Sequence, residues 1–250
     1  MGALNGRRTA GAVRIWLHEG HDGEPGVEAL GLDHLGFATW AESEDELRAK
    51  LPAKFAAYCN WRARHQLAVA AIDDAGLEVA GRLAGNEILF PPDREPAHPT
   101  EIELAIALLA ASRADLMTLL EAAPDAALDW DPPYRRFAPW ADWRSVRAIL
   151  AHVANGETHY YLRNVGHEPV SSPADPRGDW RDFLPRSRSE AIGFLETMKR
   201  ASDRSRIGRV DFGFGEEWWS LRKALRRMVS HELTHAKSIA RILRAHAAAG

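Results

Sequence analysis

Between Phe90 and Thr100 the chain reads Pro-Pro-Asp-Arg-Glu-Pro-Ala-His-Pro, and prolines at 91, 92, 96 and 99 exclude both a continuous helix and a central strand. This run divides the sequence into a first unit (1–90), a proline-rich linker (91–99) expected to be exposed, and a second unit (100–250). In the first unit, short apolar runs broken by glycines at Gly11–Glu19, Leu30–Ala41 and Leu77–Phe90 read as strands. Between the last two, Ser43 and Glu46 form a capping box. The helix it opens keeps Leu47, Leu51, Phe55, Tyr58 and Trp61 on helical spacing to about His65, with Pro52 bending it or opening a second segment. Residues 1–90 are thus expected to form a small α+β unit.

After the linker the period changes. Thr100 and Glu103 read as a second capping box, followed by a helix to about Ala123 with Leu104, Leu108, Leu116 and Leu119 on one face. A proline- and tryptophan-rich loop covers Asp125–Trp143, and further helices are expected over Ser145–Val165, Ser187 to about Arg206, and Ser220 to about Ala248. Four long helices after one linker predict an all-α four-helix bundle, whose interior is a habitual place for metal and cofactor sites. No internal repeat is evident. Trp130, Trp140, Trp143, Trp180, Trp218 and Trp219 concentrate in loops and helix starts, where they cap the bundle's ends or rim a pocket.

A composition of 46% hydrophobic and 27% charged residues fits a globular chain, and no apolar stretch approaches the ~20 residues of a membrane span. Arg7 and Arg8 are followed by Arg14, His18 and Glu19 instead of a signal peptide's apolar core, so the expected location is the cytoplasm. The single cysteine, Cys59, reads as a buried structural thiol. A net charge of −3 gives nucleic acid and membranes no general attraction. On the last helix Arg222, Lys223, Arg226, Lys237, Arg241 and Arg244 lie opposite the stripe of Leu221, Leu225, Met228, Ile239 and Leu243, and read as a solvated face. Nothing matches G-x-x-x-x-G-K-[ST], G-x-G-x-x-G or G-x-S-x-G, and Gly213-Phe-Gly215 lies in a loop, so nucleotide and serine-hydrolase chemistry lack support.

The residues that break the apolar stripes carry the functional signal. His231 and His235, at i and i+4, sit on the edge of the last helix's stripe, where two imidazoles can face one centre. Glu232 lies inside the stripe and needs a buried partner. On the second helix Val146, Ile149, Leu150, Val153 and Tyr160 form the stripe, Glu157 lies inside it, and His152 flanks it. Three neutral imidazoles from two helices would leave a divalent metal its charge and open positions. His159, two turns beyond His152, is a decoy or a supporting group. The other histidines have turn or surface contexts.

With these residues in place, the chain from about Thr100 to Ala248 resembles the DinB family of metal-binding four-helix bundles, through Ser145-Val-Arg-Ala-Ile-Leu-Ala-His152-Val-Ala-Asn-Gly-Glu157 and His231-Glu-Leu-Thr-His235. The resemblance implies His152, His231 and His235 as the ligands of one divalent metal, and imidazole suits zinc, nickel and iron(II) alike; Glu157, a carboxylate inside an apolar stripe, is expected to support them from behind. It further implies a metal-dependent enzyme, similar to thiol S-transferases that use a low-molecular-weight thiol on a small-molecule substrate. Arginine makes up 27 of the 32 basic residues, the mark of a GC-rich, actinobacterial type of genome, which points to mycothiol as the thiol. Residues from about Ala29 to His65 are similar to a HicB-like domain, in which a strand and a turn lead into a helix; only the fold is implied, because no helix-turn-helix accompanies it. The alternative reading is a non-catalytic metal-binding or regulatory protein whose first unit pairs with a partner. The expected partners are a small molecule and, as a homodimer, a second copy of the chain, with neither nucleic acid nor membrane.

Overall fold

The computed structural model describes residues 12–20, 25–68, 76–134, 141–205, 207–211 and 216–249. Arg7, Arg8, His21, Trp140 and Gly213-Phe-Gly215 therefore lie outside the described residues.

The first unit is a four-stranded sheet with one helix. Strands β1 (Val13–Glu19), β2 (Val27–Gly31), β3 (Phe37–Ala41) and β4 (Leu77–Ala84) are ordered β3-β2-β1-β4. Pairing is antiparallel except between β1 and β4, which run parallel because α1 (Glu44–Arg64) carries the chain across from β3. The expected strand Leu30–Ala41 is two strands: the chain turns at residues 32–36, and Gly36 takes φ +87°, a conformation open to glycine. Ser43 caps α1 as expected, its Oγ accepting from the Glu46 amide at 3.3 Å, and the helix continues through Pro52.

The proline segment is exposed at Pro91, Arg94, Glu95, Pro96 and His98, as expected, yet it is not a loose linker. Pro91–Arg94 forms a 3₁₀ turn, and Phe90, Asp93 and Ala97 are buried. Asp93 accepts two hydrogen bonds from Arg226 at 3.0 and 2.8 Å and one from the Phe90 amide at 3.1 Å. Prolines break regular structure but say nothing about packing, and this turn is pinned by a charge from the far end of the chain. The first unit rests on the helices through a shared core that includes Ile15, Leu17, Phe55 and Tyr58 together with Leu108, Leu109, Leu225 and Val229. A Cβ on Gly36 would lie 2.2 Å from a Val229 methyl, which measures how closely the hairpin turn approaches the last helix.

The second unit contains four long helical stretches. Helix α2 spans Pro99–Glu121; its cap is His98, with Pro99 at the first position and Glu101 returning a carboxylate to the His98 amide at 2.8 Å, so the cap stands two residues before the expected Thr100. The Asp125–Trp143 segment contains a short helix, α3 (Asp125–Leu128). The second long stretch is composite: α4 (Val146–Asn155) passes into a π-helical segment (Gly156–Leu162) and a 3₁₀ turn (Arg163–Val165), and Gly166 ends it with φ +92°. The π turns shift the inward face, so Tyr161 and Leu162 are buried where a regular wheel places Tyr160. Helix α5 (Trp180–Arg200) is capped by Asp179, eight residues before the expected cap Ser187 and with Pro185 tolerated within its first turns, and it ends at Arg200 instead of Arg206. A hairpin of β5 (Ile207–Asp211) and β6 (Glu216–Ser220), not foreseen in the sequence, leads into α6 (Leu221–Ala249).

The supposed solvated face of α6 is partly interior. Lys223 and Arg226 are buried, paired with Glu87 at 2.7 Å and Asp93, while Arg222 pairs with Glu101. Lys223 faces the first unit, Arg226 the proline segment and Arg222 the start of α2, which a helix wheel drawn for one element cannot show. Among the described residues no helix is long and apolar enough to cross a membrane.

Candidate metal centre

Helix spacing brings the three expected histidines together. His152 projects from α4, and His231 and His235 from successive turns of α6, with ring centroids 4.8 Å (152 to 231), 4.9 Å (152 to 235) and 4.4 Å (231 to 235) apart. One ring nitrogen from each falls within 4.8 Å of the others, and the Nε2 atoms of His152 and His231 are 2.9 Å apart. Trp143 lies flat on His152, centroids 3.7 Å apart and planes 12° from parallel, and meets His235 edge-on at 6.3 Å. Tyr161 closes the other side, edge-on to His231 at 5.3 Å. Of the tryptophans, Trp143 therefore belongs to the wall of this site, whereas Trp180 and Trp219 are core residues.

The surroundings keep all three rings neutral. Burial lowers the pKa of His152 to about 4; burial, with the neighbouring His152 ring and the Arg227 cation, lowers that of His235 to about 3. His231 is held well below the ordinary imidazole value by burial and by the two neighbouring rings. Neutral imidazole is the form that coordinates a cation. His235 Nδ1 is in addition buried without a hydrogen-bond partner, a costly state for a lone pair or N–H unless something else engages the ring. Three neutral nitrogen donors converging from two rigid helices, with one orphaned ring atom, fit a divalent cation of the zinc, nickel or iron(II) type.

Glu157 is buried, as its place inside the apolar stripe demands, and its hydrogen-bond partners are arginines and a serine: Oε1 accepts from Arg113 at 2.9 Å and from Arg188 at 3.0 Å, and Oε2 from Ser187 Oγ at 3.3 Å. Glu232 finds the buried partners it needs in the same two arginines, Arg113 Nε at 2.7 Å and Arg188. Burial opposes ionisation of Glu232, but the two guanidinium groups outweigh it and lower its pKa. His159 turns to Thr158 and the Ser171 carbonyl, away from the triad. Sequence reasoning missed Arg113, Arg188 and the role of Gly156, at which a Cβ would stand 3.1 Å from His231 Cε1. Arginines in amphipathic helices are ordinarily exposed, so nothing in a single helix marks these two as interior.

The sequence profile of the DinB superfamily matches residues 108–239. The chain belongs to the DinB superfamily. The matched stretch holds all three histidines and both buried ion-paired carboxylates. Among solved structures, this DinB chain is similar to YfiT from Bacillus subtilis, described as a probable metal-dependent hydrolase with an unusual four-helix bundle topology, at 20% identity and a TM-score of 0.46, over 65% of this chain and 95% of that chain. No curated protein matches it. The DinB match begins at residue 108, so the HicB-like resemblance of the first unit gains no support from it.

Proposed function

We propose that this DinB protein is a metal-dependent enzyme that holds one divalent cation on His152, His231 and His235 and transfers a low-molecular-weight thiol to a small-molecule substrate. The observation that carries the reading is the convergence of three neutral imidazoles, one with a buried, unpartnered ring nitrogen. A bound cation of this type supplies Lewis acidity, lowering the pKa of a coordinated thiol so that thiolate is present at neutral pH.

The chain's own residues supply placement. Trp143 fixes the plane of His152 by stacking, and Tyr161 confines His231. Arg227, one turn before His231, lies 5.9 Å from the centre of the Tyr161 ring and pairs with Glu87 at 2.7 Å, which ties this turn of α6 to the first unit beside the triad. A protein thiolate is not at hand: Cys59 is buried in the core of the first unit, where desolvation raises its pKa. A small-molecule substrate and no nucleic acid belong to the same reading, since Lys223 and Arg226 are committed to Glu87 and Asp93.

Metal analysis of the purified protein and of the His152→Ala/His231→Ala/His235→Ala variant tests the site. Stoichiometric metal in the wild type and none in the variant is expected; equal content in both overturns it. A screen for thiol adducts with the metal-loaded protein tests the transfer. Stoichiometric metal without any thiol adduct moves the reading to the non-catalytic alternative.

A further inference from the structure

Each long helical stretch of the bundle sends one charge to a single buried place: Arg113 from α2, Glu157 from the π segment, Arg188 from α5 and Glu232 from α6. Both arginines bridge both carboxylates. Each arginine also reaches across to the backbone of the other's helix, Arg113 Nη1 donating to the Leu184 carbonyl at 2.7 Å and Arg188 Nη1 to the Leu109 carbonyl. Beside them Ser112 Oγ donates to that same Leu109 carbonyl at 3.2 Å, and Ser187 Oγ to the Leu184 carbonyl at 3.2 Å.

The arrangement repeats itself. Glu157 follows Arg113 by 44 residues and Glu232 follows Arg188 by 44. An offset of 75 residues carries Leu109, Ser112, Arg113 and Glu157 onto Leu184, Ser187, Arg188 and Glu232, and exchanging the two sets carries each of these ion pairs and carbonyl contacts onto its counterpart, while Ser187 alone adds a hydrogen bond to Glu157 at 3.3 Å. The expected absence of an internal repeat is thereby corrected: two helical hairpins meet at this quartet with like contacts on both sides. Under the same offset Gly156 corresponds to His231, and the two touch, one hairpin supplying the imidazole and the other the space that a Cβ would fill.

Stability is a weak reason for such a cluster, because well-packed apolar residues in place of a buried ion network often leave a protein as stable or more so. Alignment is a stronger one. Sliding any one helix by a turn, about 5.4 Å, strands a carboxylate or a guanidinium in the interior without its partners. Glu157 adjoins Gly156 and Glu232 adjoins His231, so the alignment that satisfies the charges is also the one that seats His231 against Gly156 and, one turn on, His235 beside His152.

We propose that Arg113, Glu157, Arg188 and Glu232 are positioning residues of the three-histidine centre, locking the axial and rotational alignment of the helices so that the three imidazoles converge. The inference rests on the reading of the triad as a metal site.

Two full-length variants test it with Co(II) as the probe. Arg113→Met/Glu157→Leu/Arg188→Met/Glu232→Leu removes every charge, and is expected to keep its helical circular dichroism and its thermal midpoint while Co(II) affinity falls at least tenfold and the visible Co(II) spectrum changes. Arg113→Lys/Arg188→Lys keeps the charges but replaces each fork by an ammonium that cannot hold two carboxylates and a carbonyl together; it is expected to fold and to show the same loss. A purely structural quartet would change the midpoint and leave the Co(II) spectrum of the folded protein untouched, and wild-type affinity and spectrum in the folded variants would overturn the proposal. If the charge-free variant does not fold, the lysine pair decides. Should the wild type itself take up no Co(II), the proposed function fails; the quartet is then read in the metal-free protein from the ring-current shift of His152 under Trp143, and an unchanged shift in the variants overturns it.

Discussion

Replacing Asp93 by alanine removes the anion that neutralises Arg226 in a place closed to water. Both residues are buried, and Asp93 takes two guanidinium hydrogen bonds and caps its own 3₁₀ turn through the Phe90 amide. The variant leaves a buried, unpaired cation, a change that costs ~3–5 kcal/mol. For a chain of this size 1 kcal/mol moves the thermal midpoint by ~2–4 °C, so a fall of about 6–20 °C is expected by calorimetry. Arg226→Met should cost a similar amount by stranding the carboxylate instead. The Asp93→Ala/Arg226→Met double variant leaves neither charge, and its loss should be no greater than that of the worse single variant, which is the signature of direct coupling in a double-mutant cycle. A loss below about 1 kcal/mol for Asp93→Ala, or simple additivity in the double variant, would refute the argument that this pair fastens the proline segment to α6.

Gly156→Ala places a methyl 3.1 Å from His231 Cε1; its backbone is already helical, so the ~0.4–1 kcal/mol gained from the unfolded chain is set against ~1–3 kcal/mol of crowding, and Co(II) affinity measured by titration should fall several-fold. A raised midpoint with unaltered affinity would show that His231 has room to spare. Burial alone would raise the Glu190 pKa, but the Ser171 hydroxyl, the Val170 and Ser171 amides and the His167 ring lower it to about 2. A depressed carboxylate contributes stability that is present above its unfolded value of about 4.5 and lost as pH falls towards 2. Glu190→Ala should therefore cost ~2–3 kcal/mol at pH 7 and shrink the difference from wild type at pH 3 in urea titrations, and an equal gap at both pH values would contradict it. Chymotrypsin should spare the Leu89–Phe90 bond in the folded protein, because both side chains are buried and the chain is held by the Asp93 cap; an early cut there, seen by mass spectrometry, would mean the segment opens readily.

The α+β unit and the helices were legible because periodicity is local. Ser43 with Glu46 marks a helix start, and leucines at helical spacing mark its buried side, before anything is known of the neighbours. What misled were residues whose local meaning was overridden by tertiary contact. Ser187 reads as the start of a helix that begins eight residues earlier at its Asp179 cap, and Leu30–Ala41 hid a reversal that depends on the positive φ of Gly36. The composite helix from Val146 to Val165 defeated the regular wheel, because π bonding changes the residues per turn after Gly156.

The same distinction runs through the site. His152, His231 and His235 were visible as polar interruptions at the edges of two apolar stripes, and so was the demand of Glu157 and Glu232 for buried partners. A helix read alone can show that a charge is out of place but not what answers it, since the answer comes from another helix 44 residues away in one contact and 119 in another. Arg113 and Arg188 look like surface arginines in their own segments. Only the recurrence of Ser-Arg, at 112–113 and at 187–188, followed in each case by glutamate at the same interval, carries the pairing in one dimension. A histidine pair shares a helix and is legible as spacing. A network that aligns four helices is legible only as a relation between distant segments, here the same chemistry repeated at a fixed offset within otherwise dissimilar sequence.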